Sequence, residues 1–271
     1  MAIVKDNLKM YFLSDVARNF AALEQNDKNF RVAAIVDRVL MYETKTFQRP
    51  LHVAELGGGA HPDRYHQFFA KLLTEPKSCI DWVDVSPYMI NLAKEYIDTD
   101  EYRDREKVIR FIQKDISEYL EELDDQSLDC AIMKYTFDYI EDIEKLFCLF
   151  SKKLKKEGIL ISTIGNLSPE LKSYSTNARY FYNGEAFPDN ETRQLKEGDK
   201  ITIKFFKTSG DPQSGHLEGA ETTTFYRSEE TIRGLATAYH FDIFLGNWKN
   251  SLLAELCNET LDQNILILRN H

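Results

Sequence analysis

A short apolar run, Leu51 to Leu56, stops at Gly57-Gly58-Gly59 and is followed by helically spaced Phe68, Phe69, Leu72 and Leu73. A strand that enters a glycine-rich turn and then a helix constrains the fold more than any other feature of this chain. Glycine lets the backbone turn tightly and approach a neighbour or ligand where any Cβ would collide. The same alternation then continues. Apolar Ile80 to Val85 precedes Ser86-Pro87, a helix cap followed by a proline at the first helical position, and then Met89, Ile90, Leu92, Ala93 and Tyr96. Further strands are predicted at Val108 to Gln113, Leu128 to Met133 and Ile159 to Ile164. A helix carrying Ile143, Leu146, Phe147, Phe150 and Leu154 separates the last two. Nearly continuous apolar strands alternating with amphipathic helices predict a mostly parallel sheet covered on both faces.

The flanks divide the chain into three parts. Residues 1–48 read as an N-terminal helical cap, with Val16, Phe20 and Leu23, and then Val32, Ile35, Val36, Val39 and Leu40, at helical spacing. Residues 49–165 and 228–271 form the α/β domain. It resumes with a helix from Ser228 to about His240 and strands at Phe241 to Leu245 and Ile265 to Leu268. Residues 166–227 break the rhythm, are rich in Tyr, Phe, Asn, Gly and Pro, and offer strands at Ile201 to Phe206 and Thr222 to Tyr226. They read as an inserted lid.

Charge narrows the partners. The net charge is −10, and the one compact basic run, Lys152 to Lys156, ends a predicted helix, where cations complement the helix dipole. A phosphate-tracking nucleic-acid binder needs a concentrated basic face, so nucleic acid is not expected as a partner. Cys79, Cys130, Cys148 and Cys257 show no CxxC spacing, which implies neither a disulfide framework nor a zinc knuckle. No apolar run is long enough to span a bilayer and no signal peptide pattern is present, so a cytoplasmic protein without membrane contact is expected.

The chemistry rests on the glycine turn. A dinucleotide fingerprint, G-x-G-x-x-G, finds Gly57 and Gly59, but Pro62 stands at the third glycine. The pattern acidic-x-Gly-x-Gly fits fully, as Glu55-Leu56-Gly57-Gly58-Gly59. Here the chain resembles the class I S-adenosylmethionine-dependent methyltransferases. The resemblance continues in order through Trp82-Val83-Asp84-Val85-Ser86-Pro87, Phe111 to Ile116, Leu128 to Met133, and Lys156 to Ile161. It implies a Rossmann-like sandwich with a seven-stranded sheet whose last strand is reversed, and S-adenosylmethionine as cofactor.

In that resemblance Glu55 holds the methionine amine, Gly57 and Gly59 let the backbone lie against the ligand with Gly58 between them, and Asp84 accepts the ribose hydroxyls. Asp115 takes the adenine amino group and the Ile116 amide meets the ring. Val85 and Met133, at the ends of the same segments, complete the cofactor-binding set. Tyr88 and Met89 either pack on the adenine or belong to the helix core. A cationic ligand suits carboxylates at strand ends, because opposite charge favours both.

The acceptor side is less legible. Lys134 to Tyr139 follows the fourth strand, where this family places its acceptor chamber, and no Asn-Pro-Pro-Tyr motif is present. A small-molecule acceptor is expected. Alignment alone can supply about 7–11 kcal/mol toward transfer, and a hydroxyl or ammonium acceptor also needs a base. The candidates are Tyr135, Asp138, Tyr139 and His216, and in the insertion Tyr174, Arg179, Tyr180, Phe181 and Tyr182 either line a pocket or fill a local core. His61, Asp63 and His66 suggest a metal cluster by composition, but lack a further ligand, so no metal is expected. A ligand-binding scaffold without turnover and an NAD-dependent oxidoreductase stay open as alternatives. The oligomeric state is not encoded in any pattern found.

Overall fold

The computed structural model describes residues 27–62, 66–99, 103–165, 167–208, 210–247 and 264–271. Helix α1 (Asp27–Glu43) leads into β1 (His52–Leu56), α2 (His66–Thr74), β2 (Cys79–Asp84), α3 (Pro87–Ile97) and β3 (Ile109–Gln113). Then follow α4 (Ile116–Glu122), β4 (Leu128–Met133), α5 (Ile143–Lys153) and β5 (Leu154–Ile164). After the insertion come α6 (Glu229–Ala238), β11 (Phe241–Asn247) and β12 (Asn264–Asn270). The main sheet has seven strands in the order β11-β12-β5-β4-β1-β2-β3. β1 to β5 pair in parallel, and β12 runs antiparallel to both β5 and β11. The expected α/β sandwich with a reversed last strand is therefore observed.

Alternate residues along each strand go to opposite layers. Val53, Ile80, Trp82, Cys130, Ile132, Ile159 and Ile161 share one buried core with Val32, Ile35, Val36, Val39 and Leu40 of α1 and Phe68, Phe69 and Leu72 of α2. Ala54, Leu56, Val83, Ala131, Met133 and Leu160 face the other way, toward Leu120 of α4, Leu146, Phe147 and Phe150 of α5, and Ile232 of α6. Strands buried on both faces must read as continuous apolar runs, which is why they were visible in the sequence.

Three features differ from expectation. Helix α4 spans only seven residues and gave no usable periodicity, although Asp115 caps it by accepting the Ser117 N–H. β5 begins at Leu154 rather than Ile159, with a pairing irregularity between Leu128 and Cys130 and Glu157 at φ 62°. The insertion forms five strands, not two: β6 (Glu170–Lys172), β7 (Ala178–Tyr182), β8 (Thr192–Gln194), β9 (Lys200–Phe206) and β10 (His216–Phe225). β10, β9 and β7 make a three-stranded sheet and β6 pairs with β8. Between them Leu171, Phe187, Leu195 and Tyr226 are buried together with parts of Tyr180, Tyr182 and Ile201. Those two tyrosines therefore belong to a local core. Tyr11, Val16, Phe20 and Leu23 lie outside the described residues. Among the described residues no helix is long and apolar enough to cross a membrane.

Candidate active site

At the carboxyl end of β1 the chain must leave the sheet, and the register brings Glu55 beside Trp82 of β2 and Ile132 of β4. Glu55 is fully buried there. The Gly57 and Gly58 amides both donate to the Val83 carbonyl, at 2.8 and 3.0 Å. The Gly59 amide donates to Asp84 Oδ2 at 3.0 Å, and the Gly59 carbonyl accepts from Trp82 Nε1 at 2.9 Å. The loop is thereby folded back onto the end of β2.

Two glycines are obligatory for reasons internal to the protein. Gly57 has φ +72°, and a Cβ there would lie 2.4 Å from Thr136 Oγ1. A Cβ on Gly58 would lie 2.4 Å from the indole of Trp82. The close approach expected toward a ligand is thus also a close approach between β1, β2 and the segment after β4.

Asp84, half-buried, closes the turn between β2 and α3. Its Oδ1 accepts the Ser86 amide at 2.8 Å while Oδ2 holds Gly59. Each carboxylate oxygen has two lone pairs, so acceptor capacity remains after these bonds. Val85 is half-buried, Tyr88 is 39% exposed on the first turn of α3, and Met89 is buried against Ala60. Asp115, half-buried at the end of β3, uses Oδ1 to cap α4 at 2.7 Å, and Ile116 behind it is buried. Met133 ends β4, its carbonyl accepting from Ser162 Oγ at 2.9 Å. Glu55, Asp84 and Asp115 therefore stand at three successive ends of parallel strands.

The run after the glycines is now partly accounted for. The His61 ring is buried against Tyr96, with ring centroids 4.5 Å apart, and Arg105 Nη1 donates to the Pro62 carbonyl at 3.0 Å. Asp63 lies outside the described residues, as does the side chain of His66.

Beyond β4 the chain turns sharply. Tyr135 adopts φ 56° and its amide donates to Thr163 Oγ1 at 2.7 Å. A 3-10 turn over Phe137–Tyr139 follows, which places Asp138 against the end of β5, where its Oδ2 accepts the Gly165 amide at 2.8 Å. Burial pushes the Asp138 carboxyl up to about 6, against the opposing pull of the Gly165 amide and the Arg227 guanidinium. Tyr135 and Tyr139 are half-buried on the same segment.

Buried Arg227, at the end of the insertion, donates through Nη2 to the carbonyls of Ile140 and Glu141 at 3.1 and 2.6 Å. This tie went unread in the sequence, because an arginine after a strand looks like any surface cation. His216 stands apart from the other candidate bases: it is exposed at the first residue of β10 and stacks on Phe206 at 5.7 Å.

A family model described as a methyltransferase domain matches residues 61–162. A comparison with curated proteins gives no match by sequence. The fold is similar to an S-adenosylmethionine-dependent methyltransferase from Clostridium acetobutylicum (17% identity, TM-score 0.54, covering 93% of this chain and 98% of that one). It is also similar to an amino pentose methyltransferase of Micromonospora echinaspora involved in calicheamicin biosynthesis, whose structure holds S-adenosylmethionine (12%, 0.56, 93% and 96%). The PH0226 protein from Pyrococcus horikoshii is a further likeness (17%, 0.54, 91% and 93%). At these identities the likeness is one of fold. Together with the matched segment it gives the chain a methyltransferase-type α/β fold.

Proposed function

We propose that this chain transfers the methyl group of S-adenosylmethionine to a small-molecule acceptor, with the donor held by Glu55, the Gly57–Gly59 loop, Asp84 and Asp115. The observation that carries this reading is the engagement of the loop amides. All three, on Gly57, Gly58 and Gly59, are spent on the Val83 carbonyl and the Asp84 carboxylate. A pyrophosphate would need such amides and would meet three carboxylates instead. A ligand with a cationic amine and a sulfonium, and no phosphate, fits this donor set.

The remaining assignments extend the same reading. Glu55 would hold the amine, Asp84 the ribose hydroxyls, and Asp115 with the Ile116 amide the adenine edge. Val85, Tyr88, Met89 and Met133 would line the same groove. When bound, the donor supplies an already activated methyl group, so the protein's part is to align the acceptor and exclude water. Residues 166–227 would form the acceptor's lid.

Asp138 is the best placed base for a hydroxyl or ammonium acceptor. It follows β4, faces the end of β5, and desolvation pushes its carboxyl up to about 6. Tyr135 and Tyr139 share its segment, whereas exposed His216 has no comparable setting.

Calorimetry of the full chain with S-adenosylmethionine and, separately, with NAD tests the donor. Saturable one-to-one binding of the first and none of the second is expected. Tight NAD binding without methyl-donor binding would sink the proposal.

A further inference from the structure

Away from the glycine loop, at the amino end of the parallel strands, a second group of side chains converges. His52 and Cys79 are the first residues of β1 and β2 and are register partners. Asp81 follows two positions after Cys79, so both side chains leave the same face of the sheet. One donor atom from each of His52, Cys79 and Asp81 lies within 4.8 Å of the others. Asp81 is 1% exposed, His52 and Cys79 are half-buried, and none belongs to the methyl-donor site.

Positive charge is already drawn to this place. Arg110 Nε and Nη2 donate to the two Asp81 oxygens at 2.5 and 2.9 Å, and Nη2 lies 3.1 Å from His52 Nε2. His52 Nε2 is 2.8 Å from Asp81 Oδ2, to which the Tyr119 hydroxyl donates at 2.6 Å. The His52 amide donates to Asp129, which also carries Lys155 at 2.9 Å.

We propose that His52, Cys79 and Asp81 form a binding site for a thiophilic divalent cation of the zinc class. Imidazole, thiolate and carboxylate are the donors this ion takes, at about 2.0–2.3 Å, which sets ligand atoms about 3.3–3.8 Å apart in a tetrahedron. The thiol lies within 4.8 Å of the other two donors and has to close in. His52 Nε2 and Asp81 Oδ2, 2.8 Å apart, have to open by about half an ångström, and both movements are within the reach of side-chain rotation. Arg110 is the competitor. Its side chain is 56% exposed, so it can swing into solvent when a divalent ion takes over the charge of Asp81. Tyr119 then remains as the outer partner that orients the carboxylate. Binding releases the Cys79 proton to solvent, and water fills the fourth position.

The test is titration of the full chain with Co²⁺ under a thiol-free reductant, reading the sulfur-to-cobalt absorption and the visible bands, followed by displacement with Zn²⁺. One equivalent is expected to bind. Cys79→Ser should abolish the sulfur band, and His52→Gln should weaken binding at least tenfold. Both variants should retain wild-type circular dichroism and S-adenosylmethionine affinity. Should Cys79→Ser fail to fold, His52→Gln decides alone. Absence of binding at several-fold excess, or a sulfur band that survives Cys79→Ser, overturns the proposal. Failure to bind S-adenosylmethionine would count against the methyl-donor reading and leave this one standing.

Discussion

Asp84 carries two duties on one carboxylate, and its variants separate them. Asp84→Ala strands the Gly59 and Ser86 amides, which costs about 1–3 kcal/mol for each that stays buried and unsatisfied. Asp84→Asn keeps an acceptor oxygen and should lose less stability, while both variants lose affinity for S-adenosylmethionine. Urea denaturation and calorimetry read the two effects, and wild-type affinity in Asp84→Asn would refute the ribose assignment.

Asp138 makes a second residue-scale case. Burial raises its pKa from 3.8 to about 6, so the folded state binds more protons than the unfolded state between these values. The stability it contributes is present below pH 3.8 and is lost as pH rises through about 6. Asp138→Asn can still accept from Gly165 and removes that dependence, so its stability at pH 7–8 should equal or exceed wild type. If Asp138 is the base, wild-type kcat/KM falls about tenfold per pH unit below about 6, and Asp138→Asn loses about 10²–10⁴-fold in rate. An unchanged pH–rate profile in the variant would remove Asp138 from the chemistry.

Among elements, the insertion is the one whose attachment matters most to the site. Arg227 joins the end of β10 to the carbonyls of Ile140 and Glu141, directly after the turn that carries Asp138. Charged hydrogen bonds of this kind contribute about 1.5–3 kcal/mol each when intact. Arg227→Ala should therefore speed amide exchange in β7, β9 and β10 and raise KM for the acceptor, with little change in donor affinity. Unaltered exchange in those strands would show that the insertion is held elsewhere. The element-scale lesson in legibility is similar. β1, β2 and β4 were readable because burial on both faces makes them uniformly apolar. β6, β7 and β8 were not equally readable, because short, largely half-buried or exposed strands satisfy packing only within their own small sheets. α4 escaped notice because its seven residues complete barely two turns.

For the molecule as a whole, the proposed donor site joins the sheet ends to the loops around them. A ligand that binds only the native state stabilises it by about 2.7 kcal/mol at a hundred times its Kd. S-adenosylmethionine should raise the thermal midpoint in proportion to the logarithm of its concentration, and NAD should leave it unchanged. A midpoint indifferent to S-adenosylmethionine would contradict the donor site.

The reversed final strand was implied by the family resemblance, whereas the primary structure by itself determined the layered α/β core and the acidic-glycine turn. Each follows from local rules: burial on two faces, helical spacing, and residue types whose backbone freedom or charge has few other uses. Only the tertiary structure decided that Gly58 answers to Trp82, that the loop amides are consumed by Val83 and Asp84, and that Asp138 is held against Gly165. It alone brought Arg227 to Ile140 and gathered His52, Cys79 and Asp81 at the far end of the strands. Contacts between residues distant along the chain depend on sheet order and register, and no short window of sequence contains either.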